Sequence, residues 1–167
     1  MRKALFLDRD GVVNIEKNYL HKIEEFEFVE GIVEVCRAYA EKGYVIIIVT
    51  NQSGIARGMY TEADFQLLSR WMVDHFASLG ITIEHIYHCP HHEEISGPCE
   101  CRKPSPGMFL EAQRDFGIDM AASVMIGDNE RDIEAAQRAG VGTNILLSET
   151  ATESAADRIV RSLMELA

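Results

Sequence analysis

The sequence predicts an α/β fold of three layers: a Rossmann-like parallel sheet with helices on both faces and no separate cap domain. Three observations predict it. Short apolar runs alternate five times with segments of helical periodicity. The first two runs, KALFL and YVIIIV, are almost wholly apolar, as strands buried on both faces are. The polar clusters of interest lie just after these runs, and such sheets bind ligands at the carboxyl ends of their strands.

The first run, Lys3 to Leu7 (KALFL), reads as a buried strand feeding the loop DRDG. From Val29 to Lys42 apolar residues recur at helical spacing (Val29, Ile32, Val33, Cys36, Tyr39, Ala40), and Gly43 closes the helix. Tyr44 to Val49 (YVIIIV) is mostly β-branched and ends in Thr50 and Asn51. Thr61 is placed to cap a helix running to about Leu79, with Glu62 and Asp64 in its first turn. Ile81 to Tyr87 predicts a third strand, followed by a cysteine-rich loop. Ser105 predicts a cap with Pro106 at the first helical position. Ser123 to Ile126 reads as a strand ending in GDNERD, and a helix follows to about Ala139, stopped by Gly140. Thr143 to Leu147 is read as the last strand, with a helix closing the chain.

With 167 residues and 47% apolar content, the chain suits one domain, residues 1–167. No run of about 18 apolar residues occurs, so no membrane span is expected. Charge in MRKALFLDRDG comes too soon for a secretory signal. The expectation is a cytoplasmic protein, and a monomer, since no heptad or long apolar surface stripe is visible. A net charge of −11 argues against nucleic acid as the main partner. It also means that an anionic substrate needs a local cluster of cations. No stretch is long enough for a second folded lid. Loops should roof the site, chiefly Asn14 to Glu27 and the cysteine loop.

Asp8 and Asp10 leave the first strand two residues apart. A turn explains them if they stand alone, because Asp-Gly pairs form turns. Asp128, also at a strand end, points further: three carboxylates on one sheet edge suit an oxygen-coordinated Mg²⁺. Thr50 adds a hydroxyl donor and Lys103 a compact cation, although by itself Lys103 reads better as a solvated surface residue. Together these groups make a phosphoryl-transfer site. Asp132 begins the next helix, as a partner of the helix dipole or as support for a metal ligand.

The stretch CPHHEEISGPCECRKP, Cys89 to Pro104, holds three of the four cysteines. Cys89 and His91, like Cys99 and Cys101, are two residues apart, so in extended chain each pair points one way. Two facing pairs give a Cys₃His tetrahedron, a closed structural Zn²⁺ site, with His88 and His92 turned away. A redox dithiol is the rival, but C-x-C matches C-x-x-C poorly. Fixing Cys99 and Cys101 fixes where Arg102 and Lys103 project. Cys36 reads as an ordinary buried thiol.

The motifs DRDG, TNQSG, CRKP and GDNERD, in this order, resemble those of the haloacid dehalogenase superfamily of phosphohydrolases. FLDRDGVVN, VTNQSGIARG, YHCPHH, CECRKPSPGM and DMAASVMIGD are similar to its branch of heptose bisphosphate phosphatases and histidinol-phosphate phosphatases. The resemblance implies that Asp8 is the nucleophile and Asp10 the general acid and base. It implies Mg²⁺ on Asp8, the Asp10 carbonyl and Asp128, with Thr50 and Lys103 holding the phosphoryl oxygens. It also implies that Glu16, Lys17, Asn18 and Tyr19 cover the sugar, that Asn51, Gln52 and Ser53 line the pocket, and that Arg102 holds a distant phosphate. The substrate implied is a phosphorylated sugar, a heptose bisphosphate, with histidinol phosphate as the alternative. One departure stands out: heptose phosphatases often carry lysine after the metal aspartate, where this chain has Asn129, which weakens the distant anion site. From another class, a non-catalytic zinc-stabilised binding module would be expected to have lost its nucleophile or a metal ligand, and neither is lost.

Overall fold

The computed structural model describes all of residues 1–167. Strand β1 (Ala4–Leu7) leads through a long loop to helix α1 (Ile32–Glu41) and strand β2 (Val45–Asn51). Helix α2 (Glu62–Ser78) precedes β3 (Ile83–Cys89). A single turn, α3 (Glu93–Ser96), lies in the cysteine loop before α4 (Gly107–Phe116). Then follow β4 (Val124–Gly127), α5 (Glu130–Arg138), β5 (Thr143–Leu147) and β6 (Arg158–Val160). The sheet order is β3-β2-β1-β4-β5-β6, with every pairing parallel. Strand β1 is central, and the order of strand addition reverses between β1 and β4, which is where such sheets bind ligands.

The alternation of side chains along a strand explains why β1 reads as one apolar run. Leu5 and Leu7 join a core of 18 buried residues that includes Val35 of α1 and Met72 of α2. Ala4 and Phe6 join a core of 16 on the other face, with Phe109 of α4 and Ala135 of α5. Both faces are dry, so no position in the strand tolerates a polar residue. Helix α2 starts as expected: Thr61 Oγ1 accepts from the Asp64 N–H (3.1 Å), and the Asp64 carboxylate accepts from the Thr61 N–H (2.9 Å).

Three expectations need correction. Strand β3 begins two residues later than expected and runs on to Cys89, so the first cysteine of the loop belongs to the sheet. Helix α4 is not capped by Ser105: Pro106 holds the cap position without a side-chain cap bond, and a Cβ at Gly107 would overlap the Glu100 carbonyl oxygen. The sheet has a sixth strand, Arg158–Val160, parallel to β5, and the expected terminal helix is one 3₁₀ turn at Leu163–Leu166. Val160 and Leu163 are buried in the α1-side core, which explains an apolar spacing that resembles a helix. No helix is long and apolar enough to cross a membrane.

Candidate active site

Asp8 follows β1 and Asp128 follows β4, the neighbouring strands at the reversal. Asp8 Oδ1 accepts from the Arg9 N–H (2.9 Å) and from Lys103 Nζ (3.0 Å). Lys103 Nζ also donates to the Val49 carbonyl (2.9 Å) and pairs with Asp132 (2.7 Å). Carboxylate oxygens of Asp8, Asp128 and Asp132 lie within 4.8 Å of one another. Two glycines permit this crowding. A Cβ on Gly11, whose φ is +93°, would overlap the Asp128 carboxylate, and one on Gly127 would overlap the side chain of Asp132.

Like charges this close destabilise one another. Burial first, then Asp132, Asp128 and Asp10, hold the Asp8 carboxyl well above the ordinary carboxylate range, with Lys103 opposing. Asp128 opens to the cavity, yet loss of water around it and the charge of Asp132 push it up to about 6. Burial disfavours the Lys103 ammonium, but Asp132 and Asp8 outweigh it and keep its pKa above the usual lysine value. One lysine does not balance this set of carboxylates. A divalent cation with oxygen ligands fits the donor set and would ionise Asp8. Asp132 keeps the helix-terminus role read from the sequence and has a further one. It is the buried partner of Lys103, and it also caps α5 by accepting from the Asn129 N–H (3.1 Å).

Asp10 is held from three sides. Its Oδ1 accepts from Arg9 Nη2 (2.8 Å) and Asn14 Nδ2 (3.0 Å), and its Oδ2 from Gln52 Nε2 (3.0 Å). The Arg9 guanidinium is buried and also donates to the Leu20 carbonyl (3.0 Å), so it ties Asp10 to the roofing loop. Gln52 is buried as well. Its amide nitrogen also donates to Thr50 Oγ1 (3.0 Å), and its oxygen accepts from the Tyr60 hydroxyl. Gln52 therefore orients Asp10 and Thr50. Thr50 is fully buried at the end of β2. Asn51 brackets Lys103: its Oδ1 accepts from the Lys103 N–H (3.0 Å) and its Nδ2 donates to the Lys103 carbonyl (3.2 Å).

Two cavities adjoin here. The inner one, about 280 Å³, has no apolar lining and includes Asp8, Asp10, Lys103, Asp128, Asn129 and Asp132. The outer one, about 350 Å³, takes in Asn18, Tyr19, Gln52, Ser53 and Arg102. Asp10, Glu16, Asn51 and Arg131 line both. Asn18 and Tyr19 hold left-handed backbone (φ 55° and 61°), a strained pair at the rim. Lys17 lines neither cavity and pairs with Glu27 instead (3.2 Å). The Asn129 side chain is engaged as the cap of α5, accepting from the Arg131 N–H (3.1 Å). Sequence reasoning missed Arg57, Tyr60 and Arg131 in these walls. Arg57 and Tyr60 had a signal, since both lie just past the TNQSG motif. A larger concavity than either, about 620 Å³, is an open groove along β3 and α2 that holds none of the carboxylates of the cluster.

Cys89, His91, Cys99 and Cys101 converge, the last of them two residues before Lys103 in the chain. Cys99 Sγ lies 3.6 Å from both Cys89 Sγ and Cys101 Sγ, too far for a disulfide. His91 Nδ1 lies 3.7 Å from Cys89 Sγ and 3.4 Å from Cys101 Sγ. A tetrahedral zinc with Zn–S bonds of about 2.3 Å has S···S edges of about 3.8 Å, so these four donors could hold one. Burial pushes the Cys99 thiol up, but the Arg102 N–H and the neighbouring donors outweigh it and bring it to about 7. His88 and His92 stand outside the cluster, paired with Glu62 (2.7 Å) and capping α3. Cys36 is a buried thiol, pushed up to about 12 by burial.

A family model described as HAD-hydrolase-like matches residues 100–166, which include Lys103 and Asp128. The chain is 48% identical to D-glycero-β-D-manno-heptose-1,7-bisphosphate 7-phosphatase of Yersinia pestis, over 98% of this chain and 92% of that one. It is 51% identical to D-glycero-α-D-manno-heptose-1,7-bisphosphate 7-phosphatase of Campylobacter jejuni, over 98% and 93%. The crystal structure of D,D-heptose 1,7-bisphosphate phosphatase from B. bronchiseptica, complexed with magnesium and phosphate, superposes with a TM-score of 0.85 at 30% identity, over 96% and 93% of the two chains. With its carboxylates gathered at the switch point of a parallel sheet and relatives of this identity along its whole length, the chain belongs to the haloacid dehalogenase-like phosphatases.

Proposed function

We propose that the protein is a Mg²⁺-dependent cytoplasmic phosphatase that removes the 7-phosphate of D-glycero-D-manno-heptose 1,7-bisphosphate, on the way to a nucleotide-activated heptose. The observation that carries this is the adjoining pair of cavities. One is a carboxylate cluster around a lysine; the other is lined by Arg57, Arg102 and Arg131 in a protein of net charge −11. A substrate with two phosphates matches that pair. The named relatives and the magnesium and phosphate of the neighbouring structure support it.

Asp8, the Asp10 carbonyl and Asp128 would hold Mg²⁺, which supplies positive charge against the transferring phosphoryl group. The Asp8 carboxylate attacks phosphorus, and the bond from phosphorus to the C7 oxygen breaks. Asp10, set in place by Arg9, Asn14 and Gln52, gives its proton to the leaving oxygen. It then takes a proton from the water that attacks the Asp8 phosphoryl group. The aspartyl oxygen–phosphorus bond breaks, inorganic phosphate leaves and Asp8 is restored. Lys103 and Thr50 hold the phosphoryl oxygens throughout. Cys89, His91, Cys99 and Cys101 would hold a structural Zn²⁺ with no open position for chemistry.

Histidinol phosphate would use the same machinery, but its amine would meet three guanidinium groups in the outer cavity. The test is kcat/KM for heptose 1,7-bisphosphate, as both anomers, and for histidinol phosphate. One charge-assisted contact to a second phosphate favours the bisphosphate by about ten- to a hundred-fold. A preference for histidinol phosphate would overturn this assignment. Both anomers are needed because the relatives divide, 48% identity to a β enzyme against 51% to an α enzyme.

A further inference from the structure

Arg131 stands in the first turn of α5 and lines both cavities, the one cation besides Lys103 in the inner wall and one of three in the outer wall. Lys103 is already committed to Asp8, Asp132 and the Val49 carbonyl. The Arg131 side chain has neither an ion pair nor a hydrogen bond; only its backbone N–H is engaged, with Asn129 Oδ1. Its two glutamate neighbours on α5 are occupied elsewhere. Glu130 accepts from Ser154 and from the Ala155 N–H, and Glu134 pairs with Arg138 (2.7 Å). The other two arginines of the outer wall have contacts of their own. Arg102 donates to the His91 carbonyl (3.5 Å), and Arg57 lies over the Tyr19 ring (5.8 Å). In a chain with 27 acidic and 16 basic residues, a guanidinium left unpaired where two polar cavities meet is a group waiting for an anion.

The neighbouring Asn129 is committed to the helix. Its side chain forms the capping box of α5 together with Asp132, so the position beside Asp128 serves the helix. We propose that Arg131 is a specificity-determining residue: it holds the phosphate that is retained while the other is hydrolysed beside Asp8, supplying from the shared wall the cation that Asn129 does not. This rests on the bisphosphate reading above and adds the residue that enforces it.

The experiment compares kcat/KM for heptose 1,7-bisphosphate and for a simple sugar monophosphate in the parent, Arg131→Lys and Arg131→Ala, together with the Mg²⁺ concentration giving half-maximal rate. The expected result is a fall of about ten- to a hundred-fold in the bisphosphate-to-monophosphate ratio for Arg131→Ala, mostly through KM, with Arg131→Lys keeping part of it. If the parent prefers the bisphosphate and Arg131→Ala keeps that ratio within about twofold, the inference about Arg131 fails and the substrate assignment stands. If the parent shows no preference, the assignment fails and Arg131 loses its ligand with it. A shift in Mg²⁺ dependence at constant ratio would make Arg131 part of the metal site and overturn the inference as well.

Discussion

The molecule carries two clusters that could hold cations, and they are built in opposite ways. The carboxylate cluster draws Asp8 from the start of the chain and Asp128 and Asp132 from near its end, and only the sheet brings them together. The Cys/His cluster lies within residues 89–101, on the end of β3 and one loop. The first opens into a polar cavity; the second has four donors facing one another. An open cluster can share its cation with a substrate, whereas a closed one can only hold chain in place. The difference also separates the two cations that follow Cys101. Lys103 is gripped by Asn51, Val49, Asp8 and Asp132, none of which belongs to the clip formed by Cys89, His91, Cys99 and Cys101. Arg102 has only the His91 carbonyl, which is part of it. The clip therefore matters more for Arg102 than for Lys103.

The largest effect should come from Asp8→Asn. An amide cannot take the phosphoryl group, so turnover should fall by about three orders of magnitude or more, with the metal content of the Cys/His cluster unchanged. The same variant should be more stable than the parent when Mg²⁺ is absent. A carboxyl whose folded pKa is raised costs stability above its unfolded value of about 4, and the amide does not bear that cost. The gain in melting temperature should grow as pH rises from about 4 to 7. A parent that is the more stable of the two at pH 7 without Mg²⁺ would contradict the crowding argument.

Asp132→Ala comes next. It removes a buried partner of Lys103 and the cap of α5, and should cost about 3 kcal/mol, read by denaturant titration, with activity lowered on every substrate. Loss of stability alone, with kcat intact, would show that Asp132 only caps. The smallest effect is expected from Cys101→Ser. Bound zinc should fall below one per chain, and the bisphosphate-to-monophosphate ratio should drop by up to about tenfold through Arg102, more than monophosphate turnover does. Equal loss on both substrates would mean that the clip positions Lys103 after all.

Much of this was legible in the sequence because parallel strands buried on both faces leave few polar residues in the run. KALFL, YVIIIV and SVMI announce themselves, and polar residues that follow them, Asp8, Asp10, Asn51 and Asp128, line the inner cavity. The Cys/His cluster was legible because its ligands are local and evenly spaced. Strand β6 was not, since three residues beginning with an exposed arginine have no pattern of their own and gain their structure from pairing with β5. Nor were the roles of Asn51, Gln52 and Asp132. These depend on contacts such as Asn51 to Lys103, which the fold creates between residues far apart in the chain. Arg131 lay inside the motif GDNERD, but the cap that engages the Asn129 side chain is visible only in the fold.

The division of labour between the two clusters is tested most directly by removing one metal and counting the other. Protein is treated with a mild chelator, Mg²⁺ is titrated back, and zinc per chain and turnover of heptose 1,7-bisphosphate are measured on the same samples. One zinc per chain is expected throughout, with no turnover without Mg²⁺ and full recovery as Mg²⁺ returns. Turnover that follows the zinc content, or that persists at zero Mg²⁺, would contradict that division of labour.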